Sequence, residues 1–344
     1  MASKSNLKLA SFDGGGVRGL SQLEIMNNIM HRLNWDRQLN GDEPLLPCEH
    51  FDLIGGSGTG GLIAIMLAKL RMTVEETSEE FCMLIDVFKK LDATPQEMTQ
   101  LLKESMEDIM KRRGLLINTK LLDVAQTQGC QCFVVASLRA NTGTRICLRS
   151  YPVPTHPASN VTIIEAILAT CAMQPTFAPV KLGPRYREKE YIGPSLGANN
   201  PIHDVISEAH SLFGKEATVA SILSVGSGHP GIITIPSDDG GDDMYKIMRE
   251  IMNDCMEKAR EVKQKFGRVG IYFRFSVEQG MQNDHSSQVM DPGWIAAQTE
   301  SYLEEQVDQL DAFTKGFKDA IYAVTLDHLS TLYSRDHQFV LIPT

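Results

Sequence analysis

Two glycine-rich turns, each between a short apolar run and a helix-like pattern, constrain the fold of this chain most strongly. The first turn, "DGGGVRG", follows the apolar run at 7–12, and the second, "GGSGTGG", follows the run "FDLI" at 51–54. Consecutive glycines leave backbone N–H groups unobstructed at the positive end of the following helix, an arrangement that binds anions. The sequence therefore predicts two strand-turn-helix units, with an anion-binding loop at Gly14 to Gly16.

Strand-like and helix-like segments alternate along the chain. The predicted strands cover residues 7–12, 51–56, 131–138, 145–151, 218–228 and 270–277. Helical periodicity marks residues 17–33, 60–70, 73–91 and 242–266. Several strands are apolar throughout, which is typical of a sheet covered on both faces. The alternation predicts a doubly wound α/β sheet, and because no linker interrupts it, we expect a single domain over residues 1–344.

Composition excludes some classes of partner. The net charge of −10 argues against a general nucleic-acid partner or a general affinity for anionic membranes, although it leaves room for a local basic patch. No stretch approaches the ~20 apolar residues of a membrane span, and the first residues lack the apolar core of a secretory signal. The seven cysteines are odd in number and scattered, as expected of reduced thiols. These features predict a cytoplasmic protein.

The first turn also satisfies a dinucleotide-binding pattern by its letters. Gly14, Gly16 and Gly19 match G-x-G-x-x-G, but that fold needs an acidic residue at the end of the second strand, and Asp36 falls in a predicted loop. Neither turn carries the G-K-[ST] ending of a P-loop. We therefore predict no nucleotide cofactor.

The second turn resembles the elbow on which hydrolases present a nucleophile. In the pattern G-x-S-x-G, small residues permit a strained turn that projects the central side chain into the site. The matching register here runs from Gly56 through Ser57, Gly58 and Thr59 to Gly60. The central residue, Gly58, has no side chain, so the elbow lacks its nucleophile.

The two turns together resemble those of patatin-like phospholipases. The segments that carry the resemblance are "FDGGGVRGLSQLEIM", "FDLIGGSGTGGLIAIML", "FVVASLRANTGTRICLRSY", "EAILATCAMQPTFAPVKL" and "YIGPSLGANNP", within residues 7–230. The resemblance implies a three-layer α/β/α fold with a mainly parallel central sheet, followed by a C-terminal extension at 231–344. It also implies hydrolysis of lipid acyl esters by a serine–aspartate dyad, with the first glycine-rich loop as the oxyanion hole.

Both dyad positions depart from the family pattern. The family elbow reads G-T-S-T-G, which places its serine on Gly58. The family aspartate precedes two small residues, and it falls on Gly193, with Pro194 and Ser195 after it. The resemblance therefore implies that both members of the dyad are lost.

Several other side chains are candidates to replace the dyad. Ser57 precedes the elbow apex and is expected to point away from the site, whereas Ser195 lies in the altered aspartate motif. Asp13 fits either a general acid or base or a helix N-cap. Cys171 is interpreted as a core thiol, and three histidines lie at element edges: His50, His203 and His229. None of them forms a cluster at metal-ligand spacing, so no metal site is predicted.

The sequence favours a pseudo-hydrolase that binds an acyl or other hydrophobic ligand, or serves as a scaffold. Gly14, Gly15, Gly16 and Arg18 would contact the anionic or carbonyl part of that ligand. One alternative is a non-hydrolytic enzyme, such as an isomerase or cyclase, that uses the same pocket. Another is residual ester hydrolysis through a substitute nucleophile. Transient membrane contact stays open.

Overall fold

The computed structural model describes residues 4–90, 92–122, 129–156, 159–194, 198–228, 255–266, 269–279, 281 and 291–329. The strands within them are β1 (Leu7–Phe12), β2 (Leu53–Ser57), β3 (Gln131–Leu138), β4 (Asn141–Arg149), β5 (Val180–Leu182), β6 (Lys189–Ile192), β7 (Thr218–Val225), β8 (Tyr272–Phe275) and β9 (Val324–Thr325). The helices are α1 (Gly19–Leu39), α2 (Pro47–His50), α3 (Gly58–Ala68), α4 (Val74–Phe88), α5 (Pro95–Arg112), α6 (Ile163–Cys171), α7 (Ile202–Phe213), α8 (Met256–Phe266), α9 (Pro292–Glu305) and α10 (Val307–Asp319). A 3₁₀ turn at Gly16–Arg18 precedes α1.

The strands form one sheet in the order β5-β6-β3-β2-β1-β7-β8. Pairing is parallel between β3 and β2, between β2 and β1, between β1 and β7, and between β7 and β8. The pairs of β4 and β6 with β3, of β5 with β6, and of β9 with β7 are antiparallel. The prediction of a mainly parallel central sheet is confirmed.

Helices cover both faces of this sheet. Along β1, Leu7 and Leu9 enter one hydrophobic core, while Ala10 and Phe12 enter the other, as the two-residue period of a strand requires. The first core includes residues of α7 and α8. The second includes residues of α1, α3, α4, α5, α6, α9 and α10. The three-layer α/β/α prediction is confirmed, and it explains why the central strands are apolar throughout.

The described segments after residue 230 add to the same sheet and core. Strand β8 pairs with β7, and Phe275 and Phe313 belong to the core that contains Phe12. These contacts support the single-domain organisation, which stays a prediction for the chain as a whole. In the described ranges, no helix is long and apolar enough to cross a membrane.

Three helices begin with the same local device. A threonine at the N-cap accepts a hydrogen bond from a glutamate amide three residues on, and the glutamate carboxylate accepts one from the threonine amide. The pairs are Thr73 with Glu76, Thr94 with Glu97 and Thr162 with Glu165. Because each box satisfies two backbone N–H groups, these helix starts are set by local sequence.

Candidate active site

The two glycine turns pack against each other at the carboxyl ends of β1 and β2. Phe12 pairs with Gly56 in the parallel register, so both strands end side by side. A Cβ at Gly60 would lie 2.3 Å from the carbonyl oxygen of Asp13, and one at Gly56 would lie 2.2 Å from that of Gly60. Glycine is therefore required at both positions by the close approach of the backbone. Ligands of open α/β sheets bind at this end of the strands.

The structure reduces the number of amides that the predicted anion-binding loop can offer to a ligand. The Gly14 amide donates to the carbonyl oxygen of Asn199 at 2.9 Å, and the Gly15 amide donates to Thr59 Oγ1 at 3.3 Å. The prediction that Gly14 to Gly16 all leave their N–H groups unobstructed is thus wrong for Gly14 and Gly15, whose amides hold the loop in place. Gly16, at φ +58°, is exposed, and its amide and that of Val17 have no hydrogen-bond partner among the described residues.

Two side chains from distant segments clamp the loop. Asn199 Nδ2 and Ser227 Oγ each donate to the Gly14 carbonyl oxygen at 3.0 Å. A Cβ at Gly14 would lie 2.1 Å from Asn199 Oδ1, and one at Gly15 would lie 2.1 Å from Ser227 Cβ. The glycines therefore let the clamp approach the backbone. Sequence reasoning missed both residues, although Asn199 lies in the quoted "GANNP" motif.

Asp13 holds an ion pair beneath the loop. Its side chain is fully buried, and Arg274 Nη2 donates to Asp13 Oδ2 at 2.6 Å. Burial raises the pKa of Asp13, while the guanidinium opposes that rise. Gly15 and Arg18 occupy the N-cap positions of the 3₁₀ turn and of α1, so the prediction that Asp13 is an N-cap is wrong. A buried carboxylate paired with arginine is a structural anchor.

Arg274 lies outside the region that resembles the family. Its Nη1 donates to Ser224 Oγ at 2.7 Å, which fixes the guanidinium between β7 and β8. Burial works to lower the pKa of Arg274, but the Asp13 carboxylate overrides it and raises the pKa. Cys255 joins the cluster through Asn199 Nδ2, which donates to its Sγ at 3.2 Å. Burial and the nearby Asp13 charge raise the pKa of this thiol, which keeps it protonated.

The second glycine turn has a positive φ at its central residue. Gly58 is the first residue of α3, with φ +53°, and its amide donates to Thr170 Oγ1 at 2.9 Å. Thr170 Oγ1 in turn donates to the Val135 carbonyl oxygen at 2.6 Å. A Cβ built at Gly58 would have the Gly14 Cα at 3.7 Å as its nearest neighbour, an ordinary contact. The position has room for a side chain that the sequence does not supply.

The side chain of Met173 lies close to both Gly58 and Gly193. Gly193 directly follows β6, and its amide donates to the Ala172 carbonyl oxygen at 2.8 Å. A Cβ at Gly193 would lie 2.8 Å from Met173 Cγ, and one at Gly58 would lie 3.8 Å from Met173 Sδ. Both positions therefore face the same side chain, although they are far apart in the sequence. Sequence reasoning missed Met173, for which the only local signal is its place in "ATCAMQPTF".

Two candidates for a substitute nucleophile, Ser57 and Cys171, are buried in the protein interior. Ser57 is fully buried, and its Oγ donates to the Ala198 carbonyl oxygen at 2.8 Å. Cys171 is also buried, as predicted for a core thiol, and burial raises its pKa to about 12. A thiol with that pKa is not a nucleophile near neutral pH. Ser195 and His229 lie outside the described residues.

The remaining polar candidates lie at helix ends. Arg18 is partly buried at the start of α1. His203, the second residue of α7, lies with its Nε2 3.4 Å from Glu261 Oε2. His50 lies before β2, where its Nε2 is 3.1 Å from Asn34 Oδ1, and burial lowers its pKa to about 4. In the part of the chain that the structure describes, no three His, Cys, Asp or Glu side chains form a metal-binding group.

The chain matches the model of a known protein family. The model of the patatin-like phospholipases matches residues 10–206, more than half of the chain. The matched region contains both glycine turns, Met173 and Gly193. It ends before β7, so Ser227 and Arg274 fall outside it.

Curated relatives come from a plant and a bacterium. Patatin-like protein 2 of Arabidopsis thaliana is 28% identical over 215 residues, covering 58% of this chain and 52% of that protein. The cGAMP-activated phospholipase of Vibrio cholerae is 27% identical over 247 residues, covering 65% of each chain. Patatin-like protein 3 of Arabidopsis thaliana is 24% identical over 253 residues. The chain thus spans between about half and two thirds of the length of the relatives it matches.

Proposed function

This chain belongs to the patatin-like phospholipase family, and we propose that it is a pseudo-hydrolase that binds a lipid acyl chain without cleaving it. The membership points to a function on lipid acyl groups. The proposal rests on Met173, whose side chain lies against both Gly58 and Gly193, the positions where the family has its serine and aspartate. A thioether in that place supplies neither a nucleophile nor a base.

The expected loss of hydrolysis is large. Removing the activated nucleophile of a serine hydrolase lowers turnover by about a million-fold, because nucleophile and base act as a unit. Binding and the oxyanion hole still leave about 10³- to 10⁴-fold acceleration over water in such enzymes. An enzyme that lacks both members of the dyad is therefore expected to be close to inert towards esters.

Binding does not depend on the missing side chains. The amides of Gly16 and Val17 have no internal acceptor among the described residues, and they lie at the start of α1, where the helix dipole favours a negative or carbonyl oxygen. Arg18, in the same turn, adds a positive charge. Met173 adds an apolar, flexible surface that adapts to different chains. Together these groups suit a ligand with a polar head and an apolar tail.

The alternatives have less support. Residual hydrolysis through Ser57 would require its hydroxyl to leave the Ala198 carbonyl and the protein interior. A non-hydrolytic enzyme needs an acid or base that can reach a substrate, yet Asp13 is fully buried and paired with Arg274. Among the described candidates, none is placed for proton transfer at the turns.

Native mass spectrometry tests the proposal directly. We expect the purified protein to carry or to take up a fatty acid, with oleate as the probe. Replacing Met173→Trp fills the space beside Gly58 and is expected to weaken oleate binding at least tenfold. Met83→Trp is the matched control, because Met83 is about half exposed on α4.

An ester assay tests the alternative of residual hydrolysis. We expect hydrolysis of p-nitrophenyl butyrate by the wild-type protein to equal that of Ser57→Ala. Activity that is present in the wild type and lost in Ser57→Ala would replace the pseudo-hydrolase with a hydrolase that uses a substitute nucleophile. Failure of oleate to bind would argue against an acyl site.

A further inference from the structure

The tip of the β5–β6 hairpin, residues 183–188, carries an exposed aromatic ring between two arginines. Tyr186 is 82% exposed, the highest value among the large hydrophobic side chains that the structure describes. Arg185 and Arg187 flank it and are also exposed, and the Arg187 guanidinium lies 5.8 Å from the centre of the Tyr186 ring. A large ring held in solvent at the end of a hairpin gains nothing from the protein core. Its exposure is typical of a side chain that contacts a binding partner.

The hairpin is basic in an acidic protein. Residues 181–190 contain four basic side chains and two glutamates, whereas the whole chain has a net charge of −10. Lys181 lies within ion-pair distance of both glutamates, Glu188 at 3.8 Å and Glu190 at 4.0 Å. Among the described carboxylates, none pairs with Arg185 or Arg187. The positive charge at the tip is thus available to an external anion.

This combination matches the surface of an anionic bilayer. Tyrosine places its ring at the level of lipid headgroups, where one end of the side chain is apolar and the other is hydrated. Arginine donates two parallel hydrogen bonds to a phosphate. A nucleic acid would need a wider basic face, because its affinity depends on many phosphate contacts.

The hairpin also leads into the candidate active site. Tyr186 lies seven residues before Gly193, and Met173 lies seven residues before the start of β5. At the rise of an extended chain, the seven residues from Tyr186 to Gly193 span about 23 Å at most. A bilayer at the tip would therefore lie within about one lipid length of the two lost dyad positions.

We propose that the tip of the β5–β6 hairpin docks this protein on an anionic phospholipid bilayer, with Tyr186 among the headgroups and Arg185 and Arg187 against lipid phosphates. The bilayer is then the source of the acyl ligand, and to that extent the inference rests on the proposed function. Docking by one hairpin gives weak, reversible binding, since only a few basic residues contact the surface.

Vesicle sedimentation tests the docking. Vesicles of phosphatidylcholine mixed with phosphatidylglycerol are expected to bind the protein, and vesicles of phosphatidylcholine alone are not. Each basic residue near an anionic surface strengthens binding about fivefold, so R185E/R187E is expected to weaken it at least 25-fold. The control K89E/K90E makes the same change of charge at the exposed end of α4 and is expected to bind normally.

A second pair of variants tests the ring. Tyr186→Ala is expected to weaken vesicle binding, whereas Tyr322→Ala, which removes a ring that is 57% exposed elsewhere, is expected to leave it unchanged. Circular dichroism and the melting temperature establish that each variant is folded. Equal vesicle binding by the wild type and R185E/R187E would overturn the docking site.

Oleate binding in the absence of vesicles separates the two proposals. R185E/R187E is expected to bind oleate as the wild type does while losing the vesicles. If the variant loses oleate as well, the hairpin acts on the acyl site and the docking inference is overturned. If the wild type binds anionic vesicles through this hairpin but takes up no oleate, the docking inference stands and the acyl-binding proposal fails.

Discussion

Restoring the dyad should require a third change at Met173. In G58S, the new Cβ meets nothing nearer than 3.7 Å, but a serine at φ +53° costs about 1–2 kcal/mol of strain. In G193D, the new Cβ would lie 2.8 Å from Met173 Cγ and 3.1 Å from the Thr170 carbonyl oxygen. The carboxylate can therefore enter only if the methionine moves. M173A removes both the Cγ and the Sδ that face the two positions.

We expect the double variant G58S/G193D to stay inert, and the triple variant G58S/G193D/M173A to hydrolyse p-nitrophenyl butyrate at least 100-fold above background. This gain is far below the million-fold effect of a complete dyad, because Pro194 replaces the small residue that the family has after its aspartate. The strain at residue 58 and the lost methionine contacts together cost about 2–4 kcal/mol. For a chain of 344 residues the melting temperature should fall by roughly 3–6 °C.

The matched control is G58A/G193D/M173A, which has the same shape without the hydroxyl. Any activity of the triple variant must disappear in this control if the serine is the nucleophile. A triple variant that is folded, binds oleate and is no faster than the alanine control would refute the view that the elbow and the first loop persist in a working geometry.

Three further outcomes follow from contacts in the structure. Arg274→Met should lower the free energy of unfolding, measured in urea, by about 3–5 kcal/mol, because it leaves the Asp13 carboxylate buried without its partner. The double variant D13N/R274M should lose less of this free energy. Equal losses in the two variants would contradict the pairing. Gly15→Ala should be strongly destabilising, since its Cβ would lie 2.1 Å from Ser227 Cβ, and Ser227→Gly should rescue it; an additive loss in the double variant would count against this contact. The pKa of His50 is lowered to about 4, so its neutral form contributes stability that is complete above pH 6.5 and is lost as the pH falls towards 4. Between pH 6.5 and pH 4, the free energy of unfolding of His50→Gln should change by about 1–2 kcal/mol less than that of the wild type. An unchanged slope would argue against a buried neutral imidazole.

Local patterns located much of the sheet and both glycine turns. Strands β1 and β3 have the predicted bounds, because an apolar run bounded by turn residues defines a buried strand by itself. The strands β5, β6 and β9 were not predicted. They lie at the periphery of the sheet and are only two to four residues long. A segment that short carries too little periodicity to be recognised.

Only some residues of the candidate site could be predicted from local patterns. The family motif identified Gly58 and Gly193, since a missing side chain is visible in the letters. The role of Asp13 was wrongly predicted because an aspartate before a helix is usually a cap, and its true partner, Arg274, lies more than 250 residues away. No pattern within a short window reports such a contact.

The sequence by itself located six of the strands, the two turns that glycine permits, and the glycines at positions 58 and 193. These depend on backbone conformation and on residue identity, which are local properties. Only the tertiary structure decided that Met173 lies between Gly58 and Gly193, that the Gly14 amide is used by Asn199, and that β8 supplies the counterion of Asp13. Each of these depends on which surfaces the folded sheet brings within a few ångströms, and packing between distant segments sets that distance.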